Sequence, residues 1–537
     1  MDKDFEFEIN DGEICFGLVS PVGVDLDTIS TKLENLVKQY KYSIKRIHLS
    51  TLAEKYNIQD KKPSNTLDKI HEGMQNGARL RQQSQRDDFF AILTANEIHK
   101  SRKDKSTNRN AYIVRSFKRP EEIDTMRRIY GCGFYLLGIT SSKETRVKFL
   151  KTSLDITNPE DVENLIDRDY SENHEHGQRT RDAFQLADVF INLDNHDLDS
   201  TLSRFIDLIF GSPNITPTAE EHSMFMAYMS AIRSGDLSRQ VGAVITSENN
   251  DIISTGANDV QKFGGGQYWP GPDDMRDHAM KSDANEKKRD DIILNVLKAI
   301  EGEDSPDESD VNKISRGKKL LKNTGILDLT EYGRAVHAEM DAILTSARNG
   351  VAIKNTILYT TTFPCHNCAK HIVAAGIKIV KFIEPYPKSY ATILHNDSID
   401  VLTSSKNINL PQTKVYFEPF VGVGPRRYMD LFSMSLSSGR KIKRKKDGDV
   451  IEWRRGEHPP RMPLNVISYI DKEEKYSDYF DSYIAEAIKP SVIYEKPICI
   501  KCGSVMDLKT ARKGKNIGKK FWGCINYPDC TYTKSAE

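Results

Sequence analysis

The chain has 537 residues, which is too many for one hydrophobic core and predicts three or four domains. Its 77 basic and 77 acidic residues balance, so the overall charge gives no case for a general nucleic-acid-binding surface. An acidic N-terminus without an apolar leader, and the absence of any apolar run of membrane-spanning length, predict a soluble cytoplasmic protein with no membrane partner.

Residues 12–212 alternate between predicted strands and predicted helices. The strands are apolar and are expected at 13–19, 43–49, 111–114, 134–139 and 189–193. The helices between them are expected at 25–40, 121–129 and 181–187. This alternation is typical of an α/β domain in which helices cover both faces of a parallel sheet. Ligands of such sheets bind beyond the carboxyl ends of the strands.

The first of these strand-to-helix loops runs from Gly17 through Ser20 and Gly23 to Asp25. It resembles the phosphate-binding P-loop, whose pattern is G-x-x-x-x-G-K-[ST]. Five residues separate the two glycines here, and Val24-Asp25 stands where the lysine and hydroxyl belong. The loop backbone can still bind phosphate, but the side chains for phosphoryl transfer are absent. An ordinary turn between a strand and a helix is the alternative.

Three arginines precede the last strand of this region, much as in the lid of small nucleotide kinases. They are Arg168, Arg179 and Arg181. We therefore expect residues 12–212 to form a P-loop-kinase-like domain that binds a regulatory nucleoside triphosphate. Solvated arginines without a ligand are the alternative interpretation.

Residues 218–435 are expected to form a second domain. A helix at 223–234 leads into a predicted hairpin at 240–257, and Asn258 stands at its exit. An insertion at about 260–330 is rich in glycine and then in charged residues, including an acidic loop at 301–310.

The strongest motif of the chain lies in this second domain. His337 and Glu339 begin one predicted helix, and Pro364-Cys365 with Cys368 begins another. Cysteines three residues apart share one face of a helix, and its N-terminus favours thiolates. One histidine and two cysteines suit Zn²⁺ and leave a fourth coordination position for water.

Glu339 is the acid of this motif that does not bind the metal. Zn²⁺ activates water near neutral pH, and a neighbouring carboxylate can move the protons. The pattern H-x-E with P-C-x-x-C is that of zinc-dependent nucleobase deaminases. The alternatives are unligated buried cysteines or a structural zinc site, to which either His366 or His371 could supply the fourth ligand.

The C-terminal part is expected to consist of a linker with a helical segment at 436–496 and a zinc ribbon at 497–537. A basic run at 440–446 could bind polyphosphate or nucleic acid, but such runs are more often simply solvated. Four cysteines in two pairs are typical of a closed structural zinc site. They are Cys499, Cys502, Cys524 and Cys530.

The ribbon resembles the C-terminal zinc ribbons of bacterial type I topoisomerases. From residue 499 onward there are eight Lys or Arg residues against three Asp or Glu residues, with aromatic residues between them. Such a mixture suits single-stranded nucleic acid through phosphate contacts and base stacking. A folded tail whose aromatic residues form its own small core is the alternative.

The central domain resembles the deoxycytidylate deaminase family, with a cytidine-deaminase-like α/β/α fold. The run 238–245 resembles the family's first strand and the turn before it, and Asn258 stands where the family places an asparagine on the sugar. Tyr386 matches the pocket tyrosine of the family. Three arginines are phosphate-binding candidates or, alternatively, surface ion-pair partners; they are Arg239, Arg426 and Arg427.

The whole architecture is similar to the bacterial anti-phage dCTP deaminases, which join a P-loop-like domain to such a deaminase. The resemblance implies hydrolytic deamination of free dCTP or dCMP, catalytic and structural Zn²⁺, control by the N-terminal domain and a homo-oligomer. An editing deaminase that acts on a base within DNA or RNA, with the ribbon holding the nucleic acid, is the alternative. A nucleotide sensor on an inactive deaminase scaffold is the third interpretation, and the complete set of His337, Glu339, Cys365 and Cys368 argues against it.

Overall fold

The computed structural model describes most of the chain, in sixteen segments. They are residues 12–56, 65–102, 109–170, 176–194, 197–301, 309–322, 324–384, 389–402, 413–435, 440–446, 449–462, 466–488, 499–502, 506–511, 520–528 and 530–535. Within these segments, no helix is both long and apolar enough to cross a bilayer.

The N-terminal region contains five strands and nine helices within the described residues. The strands are β1 (Ile14–Val19), β2 (Ser43–His48), β3 (Asn110–Arg115), β4 (Phe134–Thr140) and β5 (Val189–Asn192). The helices are α1 (Leu26–Lys38), α2 (Leu49–Glu54), α3 (Thr66–Ser84), α4 (Phe89–Ser101), α5 (Pro120–Tyr130), α6 (Lys143–Ser153), α7 (Pro159–Tyr170), α8 (Thr180–Phe184) and α9 (Leu198–Ile209).

These five strands form a parallel sheet in the order β5-β4-β1-β3-β2. Every residue of β1 and β5 is buried, as expected for parallel strands covered on both faces. The edge strand β2 is partly exposed and carries Lys45 and Arg46, charges that discourage pairing with another chain. The prediction of an α/β architecture with parallel strands is confirmed.

The region from Ala219 to Phe432 holds a second set of elements. Its strands are β6 (Gly242–Thr246), β7 (Ile252–Ala257), β8 (Asp259–Val260), β9 (Ala335–Val336), β10 (Ile357–Thr362), β11 (Ile379–Glu384), β12 (Ile399–Val401), β13 (Val415–Pro419) and β14 (Gly422–Val423). Its helices are α10 (Ala219–Ile232), α11 (Asp277–Met280), α12 (Ala284–Glu301), α13 (Asp310–Leu320), α14 (Ala338–Arg348), α15 (His366–Ala375), α16 (Ala391–Leu394) and α17 (Pro425–Phe432).

The second sheet has the order β12-β13-β11-β10-β6-β7, in which β6 alone runs antiparallel to the other strands. Helix α14 contacts β6 and β7, and α10 contacts β6 and β10. Glycines permit this close packing: a Cβ at Gly242 would lie 1.9 Å from the Ala227 carbonyl oxygen of α10. A Cβ at Gly256 would lie 2.1 Å from the Ala338 carbonyl oxygen of α14.

Helix α10 begins four residues before the predicted start at Ser223. Thr218 accepts a hydrogen bond from the Glu221 backbone N–H, and the Glu221 side chain accepts one from the Thr218 backbone N–H. This reciprocal pair is a capping box, and its S/T-x-x-E pattern is visible in the sequence.

The remaining elements follow residue 440. They are β15 (Lys445–Lys446), β16 (Asp449–Val450), α18 (Val466–Tyr479) continued by a π-helical turn at Phe480–Ile484, α19 (Ala485–Ala487), β17 (Met506–Thr510), β18 (Lys520–Cys524) and β19 (Thr533–Ser535). Strands β17, β18 and β19 form a small antiparallel sheet. Helix α18 packs on α4 and α5, so a segment that follows the second sheet in the chain joins the apolar core of the N-terminal region.

Candidate active site

Two helix N-termini bring the predicted zinc ligands together. His337 is the N-cap residue of α14, and Cys365 is the N-cap residue of α15. The His337 Nδ1 atom lies 3.3 Å from Sγ of Cys365 and 3.4 Å from Sγ of Cys368. Ligand atoms bonded to one tetrahedral zinc ion at about 2.0–2.3 Å are roughly 3.6 Å apart. The spacing of these three side chains therefore fits zinc.

The electrostatics of this cluster also suit a cation. Interaction with Cys368, followed by that with the His337 ring, lowers the pKa of Cys365 to about 4 despite its burial. The neighbouring Cys365 thiolate, together with burial, raises the pKa of the Cys368 thiol. Two thiolates cannot both remain charged in so small a buried space unless a cation compensates them.

Glu339 lies beside the cluster on the first turn of α14. It is 4% exposed, and its Oε2 atom lies 3.4 Å from Sγ of Cys368. Burial raises the pKa of this carboxyl group. Among the described residues, the group of donor atoms around His337 contains neither His366 nor His371. The arrangement thus has three ligands and one adjacent acid, which is typical of a catalytic zinc site.

Asp341 anchors α14 to the strand beneath it, and the sequence analysis did not identify this residue. Its carboxylate accepts hydrogen bonds from the Ala257 backbone N–H and from the side chains of Gln261 and Gln267. Asp341 lies four residues after His337, so both stand on one face of α14. This spacing could have pointed to Asp341 from the sequence, but its hydrogen-bond partners some 80 residues earlier could not be predicted in that way.

Arg239 and Asn258 lie close together at the exit of the hairpin. Arg239 donates a hydrogen bond of 2.7 Å to the Thr362 hydroxyl and pairs with the Glu384 carboxylate. The Asn258 side chain accepts a hydrogen bond from the Val241 N–H at 2.6 Å and donates one to the Arg239 carbonyl at 2.8 Å. Asn258 therefore braces the loop that carries Arg239. Tyr386 lies outside the described residues.

The structure places Arg427 in the contact between the two large domains. Its guanidinium donates to the Phe134 carbonyl, lies 4.9 Å from the ring centroid of Tyr135, and pairs with Asp188 and Asp430. Arg427 is 7% exposed, and its partners Phe134, Tyr135 and Asp188 lie in the N-terminal region, so it helps to hold the two regions together. The basic and aromatic residues around Arg427 in the sequence suggested that it binds phosphate. They do not indicate that Arg427 packs against the N-terminal region.

Arg426 is exposed and lines a cavity of about 280 Å³ between the domains. Gln185 and Phe190 line it from the N-terminal side, and Tyr228 of α10 and Glu384 of β11 line it from the other side. Strand β14 extends the first sheet by pairing with β5, so the second domain is continuous with the first at this point.

The glycine loop follows β1 at the carboxyl edge of the first sheet. Gly17 is within β1, where a Cβ would lie 2.7 Å from the Phe134 ring, and Gly23 has a positive φ of 85°. The Asp25 carboxylate accepts hydrogen bonds from two backbone N–H groups in the first turn of α1. The Ser20 carbonyl accepts a hydrogen bond from Lys118.

The three predicted lid arginines have partners within the chain. Arg179 pairs with Glu121 and Asp182, Arg181 pairs with Asp182, and Arg168 contacts Nδ1 of His71 at 3.0 Å. Arg179 and Arg181 therefore neighbour one another through a shared carboxylate.

The four C-terminal cysteines form a second group of donor atoms. The Sγ atoms of Cys499 and Cys530 are 3.6 Å apart, and those of Cys502 and Cys524 are 3.3 Å apart. All four sulfur atoms lie within 4.8 Å of one another. A set of four thiolates at this spacing suits a closed structural zinc site.

Two family models match the chain. Residues 217–384 match the cytidine and deoxycytidylate deaminase zinc-binding region, and residues 496–537 match the topoisomerase DNA binding C4 zinc finger. The chain therefore carries a cytidine/deoxycytidylate deaminase domain and a topoisomerase-type zinc finger. The predictions of catalytic and structural Zn²⁺ are confirmed.

Individual relatives match shorter stretches. The chain is 42% identical to the deoxycytidylate deaminase of Enterobacteria phage T4 over 78 residues, which are 14% of this chain and 40% of the relative. It is 28% identical to the deoxycytidylate deaminase of Homo sapiens over 163 residues, which are 30% of this chain and 63% of the relative. The chain thus spans between 28% and 63% of the length of these curated relatives.

Among solved structures, the dCMP deaminase of cyanophage S-TIM5 in complex with dCMP and dUMP matches with a TM-score of 0.22 and 17% identity. The match covers 38% of this chain and 100% of that one. A TM-score this low does not establish a common fold.

Proposed function

We propose that this protein is a zinc-dependent hydrolase that deaminates free deoxycytidine nucleotides, converting dCTP or dCMP to dUTP or dUMP and ammonia. The observation that carries the proposal is the convergence of His337, Cys365 and Cys368 beside the buried acid Glu339. The match of residues 217–384 to the deaminase zinc-binding region, and relatives named deoxycytidylate deaminase, support the same activity.

The side chains of the site have two roles in the proposed reaction, holding the zinc ion and transferring protons. Zn²⁺ held by the three ligands would activate a water molecule for attack on C4 of cytosine. Glu339 accepts a proton from that water and delivers it to N3 of the ring. It then passes the second proton to the amino group, which leaves as ammonia as the C4–N bond breaks. Burial raises the pKa of Glu339, which suits a group that must hold a proton between these steps.

We assign the sugar and phosphate of the substrate to residues at the open end of the β6–β7 hairpin. Asn258 braces the loop of Arg239, and we assign it to the sugar because the family that this domain resembles has an asparagine there. Arg239 is 41% exposed and pairs with Glu384, so its guanidinium can exchange that carboxylate for a phosphate group. Tyr386 and Arg426 complete the proposed set. Arg427 has a structural position between the domains and is left out of it.

We further propose that the N-terminal domain controls the deaminase, as the resemblance to anti-phage dCTP deaminases implies. In that setting the enzyme depletes the dCTP pool during infection and must be restrained otherwise. The contact between domains supports such control, because the cavity lined by Phe190 and Arg426 also reaches Thr362, three residues before the ligand Cys365. Movement of the N-terminal domain would therefore displace the end of strand β10, which leads to the zinc ligand Cys365.

A second candidate function is deamination of cytosine or adenosine within a polynucleotide. The feature in its favour is the C-terminal zinc finger, whose matching family is described as DNA binding. On it, Lys509 lies over the exposed ring of Tyr527 at 5.9 Å, so a cation and an aromatic face are available together. Such a pair suits single-stranded nucleic acid.

Substitution of the acid tests the proposal. The variant Glu339→Gln keeps the shape of the side chain and all three ligands but cannot shuttle protons. Ammonia release from dCTP and dCMP should fall by roughly 10²–10⁴-fold, while bound zinc stays at the wild-type level. The control is Glu452→Gln, the same change on a side chain that is 75% exposed and pairs only with Arg454 among its described contacts.

The same assay separates the two candidate functions. Wild-type protein is incubated with dCTP, dCMP and single-stranded oligonucleotides that contain cytosine or adenosine. Conversion of the free nucleotides supports the proposal. Conversion of an oligonucleotide alone favours the second candidate, and full activity of Glu339→Gln rules out the proposed catalytic role of Glu339.

A further inference from the structure

The glycine loop of the N-terminal domain holds a carboxylate from a distant part of the chain. The Val22 backbone N–H donates a hydrogen bond of 2.8 Å to Oδ2 of Asp169. Lys118 donates one of 2.7 Å to Oδ1 of the same carboxylate and another of 2.8 Å to the Ser20 carbonyl. Asp169 lies 147 residues after Val22 and its side chain is only 2% exposed.

These contacts have the form of an anion-binding site. A backbone N–H of a strand-to-helix loop and an ammonium group converge on two oxygens of one negatively charged group, which is how such loops bind phosphate. The loop sequence lacks the P-loop lysine, since Val24 stands in its place. Lys118 supplies an ammonium group instead. It follows β3, the neighbour of β1, so both loops meet at the carboxyl edge of the sheet.

A further donor lies at the same edge. Ser141 directly follows β4, the other neighbour of β1. Its hydroxyl is buried and has no hydrogen-bond partner among the described residues. Buried hydroxyl groups are nearly always paired, so an orphan at this position points to a ligand that completes the site.

We propose that Val22 N–H and Lys118 form a phosphate-binding site that the Asp169 carboxylate occupies in this structure, and that the phosphate groups of a nucleoside triphosphate bind there by displacing Asp169. The regulatory role of this phosphate-binding site rests on the proposed control of the deaminase by the N-terminal domain. The binding itself is independent of the deaminase chemistry.

Asp169 can leave the site without disturbing the sheet. It is the penultimate residue of α7, which packs on a small apolar cluster separate from the three larger cores. This α7 cluster consists of Met74, Leu150, Ile156, Val162, Leu165 and Ile166, with the side chain of Val22 packed against it. Displacement of Asp169 would therefore shift α7 together with the glycine loop. In this way phosphate binding would be coupled to a movement of α7.

The variant Asp169→Asn tests the competition in the full-length protein. It removes the negative charge from the site while it keeps nearly the same side-chain shape. Calorimetric titration with inorganic tripolyphosphate should show at least tenfold tighter binding than in the wild type. The double variant Lys118→Met/Asp169→Asn should lose this gain. The control Asp199→Asn makes the same charge change at an exposed pair with Lys32 and should not alter the titration.

A second measurement uses the wild-type protein, so the test does not depend on how the variants fold. Saturating tripolyphosphate should increase amide hydrogen exchange in α7 and decrease it in residues 20–25. Titration with dCTP and ATP beside tripolyphosphate shows whether the base adds affinity beyond the phosphate chain.

Three results would overturn the proposal. They are equal titrations of Asp169→Asn and wild type, retention of the gain without Lys118, and unchanged exchange in both segments. The first and third would identify Lys118 and Asp169 as a purely structural ion pair, and the second would show that the phosphate does not bind through Lys118. Deamination by the wild type, measured separately, would be unaffected by such a result, so failure of this inference is distinguishable from failure of the proposed activity.

Discussion

Gly256 sets the distance between strand β7 and α14, the helix that carries the proposed catalytic acid Glu339. It has no positive φ, so an alanine would fit its backbone conformation, but there is no space for a methyl group. The added Cβ would lie 2.1 Å from the Ala338 carbonyl oxygen and 2.5 Å from the Ala342 backbone nitrogen. Both atoms belong to the main chain of α14, which cannot avoid the methyl group by rotating a side chain.

The variant Gly256→Ala should therefore move α14 as a unit. Ordinary contact begins at 3.4 Å, so the gap must widen from 2.1 Å by more than 1 Å. His337 and Glu339 flank Ala338 and would move with it. A misplacement of about 1 Å in a catalytic group costs roughly 10²-fold in rate. Overpacking of this kind also costs about 1–3 kcal/mol of stability.

The assay is deamination of dCMP together with zinc content and thermal unfolding. Gly271→Ala is the neutral control, because a Cβ there meets nothing within 4 Å. Gly242→Ala is the control for overpacking alone, since its Cβ would clash with α10, which carries no zinc ligand. We expect Gly256→Ala to lose far more activity than Gly242→Ala for a similar loss of stability. Wild-type turnover by a folded Gly256→Ala variant would refute the reasoning.

Two further predictions concern the contacts outside the active site. The change Arg427→Met removes a buried cation from Asp188 and should lower the free energy of unfolding by roughly 3 kcal/mol. Calorimetry measures this against the exposed control Arg454→Met. An unchanged unfolding temperature would show that Arg127, which also pairs with Asp188, is enough to stabilise that carboxylate. Removal of residues after 496 should reduce zinc from two ions per chain to one and leave the deaminase folded, because the four cysteines close their own site. Metal analysis checks this, and insoluble protein would show instead that the zinc finger stabilises the rest of the chain.

The sequence was most informative where function depends on short spacings. Cys365 and Cys368 are three residues apart, and His337 and Glu339 are two apart, so each pair shares one helix N-terminus whatever the rest of the chain does. Alternating apolar strands and amphipathic helices likewise predicted the parallel first sheet, because periodicity reports local burial. Zn²⁺ followed from the types of the ligands.

Only the tertiary structure decided which distant residues meet. Asp341 is paired with a strand 84 residues earlier, and Asp169 reaches a loop 147 residues earlier. Arg427 looked like a phosphate ligand in the sequence, yet packing places it between domains against a carbonyl 293 residues away. Side chains of the same chemical type suit a substrate, a salt bridge or a buried carbonyl equally well. Their roles depend on the neighbours that folding supplies, and local spacing carries no record of those neighbours.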